Sequence, residues 1–305
     1  MLPVALLCGG MAARMRPVTQ SVPKAMLIVA GKPFIAHQLN LLKKHGVERV
    51  VLCVGYLGSI IEGFVGDGGR FDLDVSYSYD GEELLGTGGA VKKALSRLND
   101  PFFVIYGDSY LDVDYAKVEE AYRGAAPVCE GLMTVFKNEN KWDASNVVFK
   151  DNRIVTYSKK CYSKEMKYID YGLGILSKKV FQRRCAHRKT QGCQISHEDP
   201  GRQVLQTPLG AREQQRHQAS LGAREQQSHQ APLATWEQQS HQVTHGEREH
   251  RDFDYATVFD LADVYESLAK EGRLFGYEVY DRFYEIGSKK GLEEFEQMII
   301  KKEGA

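Results

Sequence analysis

Hydrophobic and polar positions alternate with two different periods along most of the chain. Short runs rich in apolar residues predict strands at Pro3 to Leu7, Arg49 to Val54, Asp74 to Tyr79 and Phe102 to Tyr106. Between them, apolar residues three or four positions apart predict helices at Phe34 to His45, Leu57 to Val65, Gly89 to Leu98 and Tyr115 to Arg123. Strands that alternate with helices of about ten residues imply an α/β fold with a doubly wound, mostly parallel sheet. From Gly131 the pattern turns to hairpins: Gly131 to Phe136, then Asn146 to Lys150 and Arg153 to Tyr157 joined through Asp151-Asn152, then Gly172 to Leu176. A helix from Val258 to Glu271, a strand from Gly276 to Tyr280 and a helix from Lys289 to Lys301 complete the pattern. The smaller part is therefore expected to be antiparallel.

One tract interrupts this alternation. Residues 186–250 contain a single aromatic, Trp236, and seven of the nine histidines. Within them Leu209 to Ser220 and Leu221 to Pro232 agree at ten of twelve positions, and Leu233 to Thr244 is a decayed third copy. Twelve residues of α-helix advance about 1200°, so successive leucines sit about 120° apart and no apolar stripe forms. A unit with so little apolar surface cannot stack as a solenoid repeat does. The expectation is a low-complexity, disordered insertion within one domain made of residues 1–185 and 251–305.

Charge and composition act by exclusion. The 305 residues carry 40 Lys+Arg against 40 Asp+Glu, with a pI near 7.1. No basic field exists to hold the molecule on nucleic acid or an anionic membrane. The longest apolar runs, such as Val4 to Cys8 and Val50 to Val54, fall far short of the roughly 20 residues that span a bilayer. Met1 to Cys8 lacks a basic start and a cleavage site and runs into a glycine loop, so it is expected to be a first strand rather than an export signal. Six scattered cysteines form no disulfide framework. A cytoplasmic protein is expected; the sequence is compatible with a homodimer but does not set the oligomeric state.

In an open α/β sheet, ligands bind beyond the carboxyl ends of the strands. The first such loop reads Cys8-Gly9-Gly10-Met11-Ala12-Ala13-Arg14, and Pro23-Lys24 follows. Paired glycines let backbone amides approach phosphate, and Arg14 and Lys24 add positive charge. Spacing excludes two familiar phosphate loops: Gly31-Lys32 is followed by Pro33 and lacks the upstream glycine of a Walker loop, and Gly9-Gly10 lacks the later glycines of a dinucleotide loop.

Gly9-Gly10, Arg14, Pro17, Thr19, Pro23-Lys24 and Gly31-Lys32-Pro33, with Leu85-Gly86-Thr87-Gly88-Gly89-Ala90, Tyr106-Gly107-Asp108 and Tyr284-Glu285-Ile286-Gly287-Ser288, resemble the signature of the sugar-1-phosphate nucleotidyltransferases. The resemblance covers residues 3–182 and 252–300, and the overall pattern is most similar to the mannose- and heptose-1-phosphate guanylyltransferases. It implies a GT-A-like domain in which a sugar 1-phosphate displaces pyrophosphate from a nucleoside triphosphate, with Mg²⁺, to make a nucleotide sugar. Arg14, Lys24 and Asp108 would be catalytic, and Asp108 and Glu285 would hold the metal. Gly9, Gly10, Leu85, Gly86, Thr87 and Gly88 would bind the nucleotide, with Glu82 or Glu83 as possible contributors. Lys159 or Lys160, both of which qualify, would bind the sugar phosphate beside Asp170 and Gly172.

Two departures motivate a rival, a catalytically silent nucleotide-sugar-binding subunit. Ala12-Ala13 stands where many relatives have Gly-Thr, and Glu285 where they usually have Asp. A second rival is a glycosyltransferase using Asp112-Val113-Asp114 as its metal motif. Cys185, His187, Cys193 and His197 have a spacing that matches no common zinc module.

Overall fold

The four apolar runs become one end of a nine-stranded sheet. The computed structural model describes residues 1–10, 15, 18–141, 143–183 and 258–303, all within one unit spanning residues 1–193 and 253–305. The chain begins β1 (Val4–Leu7), β2 (Ile28–Val29), β3 (Lys32–Pro33), α1 (Phe34–Lys44), β4 (Arg49–Val54), α2 (Gly58–Val65) and β5 (Asp74–Tyr79). It continues with α3 (Gly86–Ala94), β6 (Phe102–Tyr106), β7 (Ser109–Tyr110), α4 (Tyr115–Gly124), β8 (Gly131–Lys137), β9 (Val147–Lys150), β10 (Arg153–Tyr157) and β11 (Tyr168–Leu176). After the tract come α5 (Leu261–Lys270), β12 (Leu274–Val279), β13 (Tyr284–Glu285) and α6 (Lys289–Glu303).

The sheet order is β5-β4-β1-β6-β11-β8-β12-β10-β9. Its first four strands are mutually parallel, as buried runs covered on both faces require. Alternation along β1 sorts the core: Val4 and Leu6 pack on the face of α1, α2 and α4, and Ala5 packs on the face of α3 and α5. A third cluster joins Phe34 of α1 to Phe295 and Ile299 of α6.

The hairpin half is less regular than expected. It forms no separate sheet but continues the same one, with β11 antiparallel to β6 and β8, and β12 parallel to β8. β11 begins four residues before Gly172, at Tyr168, and its register shifts between Asp170 and Gly174. A carboxylate and a glycine at φ +99° interrupt the alternation there, which hides the strand from a period-two search. The Asp151-Asn152 turn has both residues at positive φ, the conformation a tight hairpin needs. Helix α5 starts later than Val258 because Asp260 caps it, accepting the Ala262 N–H. Among the described residues, no helix is long and apolar enough to cross a membrane.

Candidate active site

The parallel strands β1, β5 and β6 deliver Gly9-Gly10, Asp80 and Gly107-Asp108 to one edge of the sheet, where they line a cleft of about 240 Å³ together with Lys24, Gly86 and Thr87. Close packing fixes the glycines at its floor. A Cβ on Gly107 would lie 2.5 Å from the Leu7 carbonyl oxygen, and one on Gly9 would lie 3.2 Å from the Gly55 nitrogen. Gly10 has open space beside it, so its backbone is available to a ligand.

Charge gathers beside this floor. The Lys24 ammonium donates to Asp108 Oδ2 at 2.7 Å, and both side chains are largely shielded. Antiparallel pairing of β13 with β7 sets Glu285 opposite Ser109, with the Ser109 hydroxyl 3.5 Å from Glu285 Oε1. The Ile286 N–H donates to the Asp108 carbonyl at 3.0 Å. Glu285 is solvent-exposed by area yet its carboxyl is crowded by protein. That burial pushes its carboxyl up to about 7, Asp108 pushes the same way, and Lys24 opposes both. From below, the buried amide of Gln38 in α1 donates to the Tyr106 and Ser109 carbonyls at 3.2 and 2.8 Å, clamping the turn that presents Asp108.

Asp108, already paired with Lys24, and Glu285 within reach of both charges could take a further positive charge. Their hard oxygen donors suit Mg²⁺, which is commonly held by one or two carboxylates plus phosphate oxygens and water. Among the described residues no group of three or more His, Cys, Asp or Glu side chains converges, so a cation on Asp108 and Glu285 would take its other ligands from substrate and solvent.

The loop expected to bind the nucleotide is divided in its loyalties. Gly86 and Thr87 line the cleft, as do Leu84 and Ala90. Leu85 and Gly88 do not; they belong to a contact with Phe259. The Phe259 N–H donates to the Leu85 carbonyl at 3.1 Å, and the Phe259 carbonyl accepts from Gly88 and Gly89 at 3.0 and 3.3 Å. A Cβ on Gly88 would come within 2.4 Å of the Phe259 ring. The glycine at position 88 is required by chain packing against Phe259, and Leu85 and Gly88 stand behind Gly86 and Thr87 rather than on the cleft wall. Glu82 and Glu83 are exposed and do not line the cleft.

Asp80 enters the site unannounced. It is buried, its Oδ1 has no hydrogen-bond partner, and burial raises its pKa against a backbone hydrogen bond from Leu85 and the charge of Lys93. The rule that singled out Asp108 applies equally to Asp80, since each follows a parallel strand. Gln38 lies within an ordinary helical pattern and carries no comparable signal.

A second cavity, of about 360 Å³, opens on the other side of Glu285 and is lined by Asp170, Asn138, Asp143 and Arg282 among others. Asp170 Oδ1 accepts the Gly172 N–H at 3.0 Å, and burial pushes its carboxyl up, partly offset by Lys159. Lys159 and Lys160 part company here. The Lys159 ammonium lies 5.4 Å from the centroid of the Tyr106 ring, which lines the first cleft. Lys160 is an exposed side chain whose ammonium is 3.7 Å from Asp263.

The Asp112-Val113-Asp114 motif has structural partners. Asp112 is held by Lys302 at 2.5 Å and His45 at 2.9 Å, and Asp114 caps α4 by accepting the Lys117 N–H. Arg14, the Ala12-Ala13 pair, the Cys185, His187, Cys193 and His197 group and the tract 186–250 lie outside the described residues.

The cleft lies at parallel strand ends, floored by glycines and carrying the Lys24–Asp108 pair, and the profile of the nucleotidyl transferase family matches residues 4–219. The chain belongs to the nucleotidyl transferase family. It is 29% identical over 178 residues to the D-glycero-alpha-D-manno-heptose 1-phosphate guanylyltransferase of Campylobacter jejuni, a match covering 58% of this chain and 76% of that protein. It is 28% identical over 183 residues to the UTP--glucose-1-phosphate uridylyltransferase of Synechocystis, covering 56% of this chain and 47% of the relative. Among solved structures, HddC from Yersinia pseudotuberculosis complexed with GMP-PN superposes with a TM-score of 0.64 at 20% identity, covering 98% of this chain and 100% of the other. This nucleotidyl transferase therefore shares the fold of HddC, an α/β architecture with a large mixed sheet.

Proposed function

We propose that this nucleotidyl transferase joins a nucleoside monophosphate unit to a sugar 1-phosphate, with guanine as its preferred base and Mg²⁺ as its cation, supplying a nucleotide sugar for glycan or cell-envelope synthesis. The observation that carries this reading is the Lys24 ammonium on Asp108 in a cleft floored by Gly9, Gly10 and Gly107, with Glu285 near enough for both charges to act on it.

In the reaction, a phosphate oxygen of the sugar 1-phosphate attacks the α-phosphorus of the triphosphate. The bond from that phosphorus to the bridging α,β oxygen breaks, and pyrophosphate leaves with the electron pair. Negative charge spreads over phosphate oxygens throughout, so the protein's task is orientation and charge stabilisation rather than supply of a nucleophile. Gly10 amide and Lys24 would orient the triphosphate. Asp108 and Glu285 would hold the divalent cation, which when bound neutralises phosphate charge. Lys159 is the better-placed partner for the acceptor phosphate, because it reaches toward the cleft over Tyr106 whereas Lys160 faces Asp263.

Asp80 supports the choice of base. In its ionised form Asp80 would only accept hydrogen bonds, and the Watson–Crick edge of guanine offers two adjacent donors, N1–H and the N2 amino group. Uracil offers one. The Campylobacter relative is named as a guanylyltransferase and HddC was solved with GMP-PN, in keeping with this choice. The test is pyrophosphate release from each of the four ribonucleoside triphosphates against mannose, heptose and glucose 1-phosphates. GTP should exceed UTP at least about tenfold in kcat/KM, and Asp80→Ala should erase most of that ratio. Equal use of UTP would overturn the base assignment. No release with any pair would overturn the transferase reading.

A further inference from the structure

The residues that follow the tract 186–250 grip a loop that lies more than 170 positions earlier in the chain, as the Thr87–Asp260 separation of 173 shows. Phe259, Asp260 and Leu261 bond to Leu85, Thr87, Gly88 and Gly89. Besides the three backbone bonds of Phe259, the Thr87 hydroxyl donates to Asp260 Oδ1 at 2.6 Å and accepts the Leu261 N–H at 2.8 Å. Asp260 Oδ1 also accepts the Ala262 N–H at 3.2 Å, so one oxygen ties the loop to the start of α5. Gly86, at φ +69°, leaves room for the Phe259 carbonyl, which a Cβ would approach to 2.6 Å.

Two consequences follow from this geometry. First, the Gly88 and Gly89 amides, which stand at the start of α3 and could otherwise meet a ligand, are given to a carbonyl of the chain itself. The loop therefore presents Gly86 and Thr87 to the cleft by shape, backed by residues that do not touch the cleft. Second, Thr87 has its hydroxyl proton committed to Asp260, which fixes the face it turns toward the nucleotide.

We propose that Asp260 is a positioning residue that sets the nucleotide loop through Thr87, with Phe259 as the backbone half of the same brace. The inference rests on the cleft being the nucleotide site. It makes the C-terminal part of the chain responsible for the shape of a binding loop in the N-terminal half. Asp260 lies behind the loop, so its effect on the nucleotide must be transmitted by Thr87 rather than by contact.

The decisive experiment titrates GTP and UTP into the full chain without divalent cation, by calorimetry, for wild type, Asp260→Ala, Asp260→Asn, Thr87→Val, Thr87→Ser and the Asp260→Ala/Thr87→Val pair. Asp260→Ala and Thr87→Val are each expected to raise the Kd of the better-bound nucleotide about fivefold to tenfold. The pair should lose clearly less than the sum of the two single losses, because the Thr87–Asp260 bond is common to both. Asp260→Asn and Thr87→Ser keep the hydrogen bond and should stay within about twofold of wild type. Unchanged affinity in Asp260→Ala, additive losses in the pair, or an equal loss in Asp260→Asn would overturn the brace. Wild-type protein that binds neither nucleotide would overturn the reading of the cleft instead. If Asp260→Ala does not fold, the contrast of Thr87→Val with Thr87→Ser still decides.

Discussion

The Lys24 ammonium stands 2.7 Å from the Asp108 carboxylate, joining residues 84 positions apart. Neither group needs the other to fold the sheet, since the contact sits at the strand ends and outside the three apolar clusters. On the proposed reading, Lys24 meets phosphate there and Asp108 the cation.

Replacement of Asp108 by Asn preserves shape and removes the charge. Turnover should fall by at least about two orders of magnitude while the melting temperature stays within a few degrees of wild type. Pyrophosphate release and a thermal melt on the same preparation check both halves of that statement. Near-normal turnover would take Asp108 out of the reacting centre.

Lys159 and Lys160 offer an internal control. Lys159→Ala should raise the KM for the sugar 1-phosphate about tenfold or more, because it removes a cation that lies over the ring of Tyr106, a residue of the cleft wall. Lys160→Ala removes an exposed charge paired with Asp263 at 3.7 Å, a kind of contact that contributes little, and should change KM less than about twofold. Reversal of the two effects would place the acceptor phosphate elsewhere.

Asp112 predicts a dependence of stability on acid. Partial burial disfavours its charge, but hydrogen bonds from Lys302 and His45 outweigh this and hold the carboxyl down to about 2, from an ordinary value of 3.8. A carboxylate whose folded pKa lies below its unfolded pKa binds fewer protons in the native state. Its stabilisation is thus complete above about pH 4 and is lost as pH falls toward 2. Asp112→Asn should lower stability near neutral pH by on the order of 1 kcal/mol after solvent screening. The gap between the two melting curves should close near pH 2; a gap that persists there would mean the role is packing.

The fold was largely legible because alternating apolar periods are set by burial on both faces of a parallel sheet. Lys24, Asp108 and Glu285 were legible by motif, and the structure brings them together. Asp80 directly follows a parallel strand but carries no motif of its own, because the glycines beside it dominate the local pattern. The double duty of Leu85 to Gly89 was illegible for a different reason: Phe259 reaches it across more than 170 residues, and no local spacing encodes a contact at that separation. The glycines looked like ligand contacts when Gly88 is needed for an aromatic ring.

The tract 186–250 is proposed to be an accessory insertion. Its described flanks are anchored independently of it: Arg183 pairs with Glu130, and Phe259 bonds to Leu85 and Gly88. Loop-closure entropy changes by only about 0.6 kcal/mol per doubling of length. Replacing residues 186–250 with a short Gly/Ser linker should leave turnover within about threefold. A larger loss with circular dichroism unchanged would assign the tract a part in catalysis.

The most direct measurement of the central claim follows both products in one reaction containing GTP, Mg²⁺ and a mannose or heptose 1-phosphate. Pyrophosphate and a guanosine diphosphate sugar should appear in equal amounts, and neither should form when the sugar 1-phosphate or the Mg²⁺ is omitted. Pyrophosphate that forms without the sugar, or tight nucleotide binding with no product from any of the four triphosphates, would contradict the account.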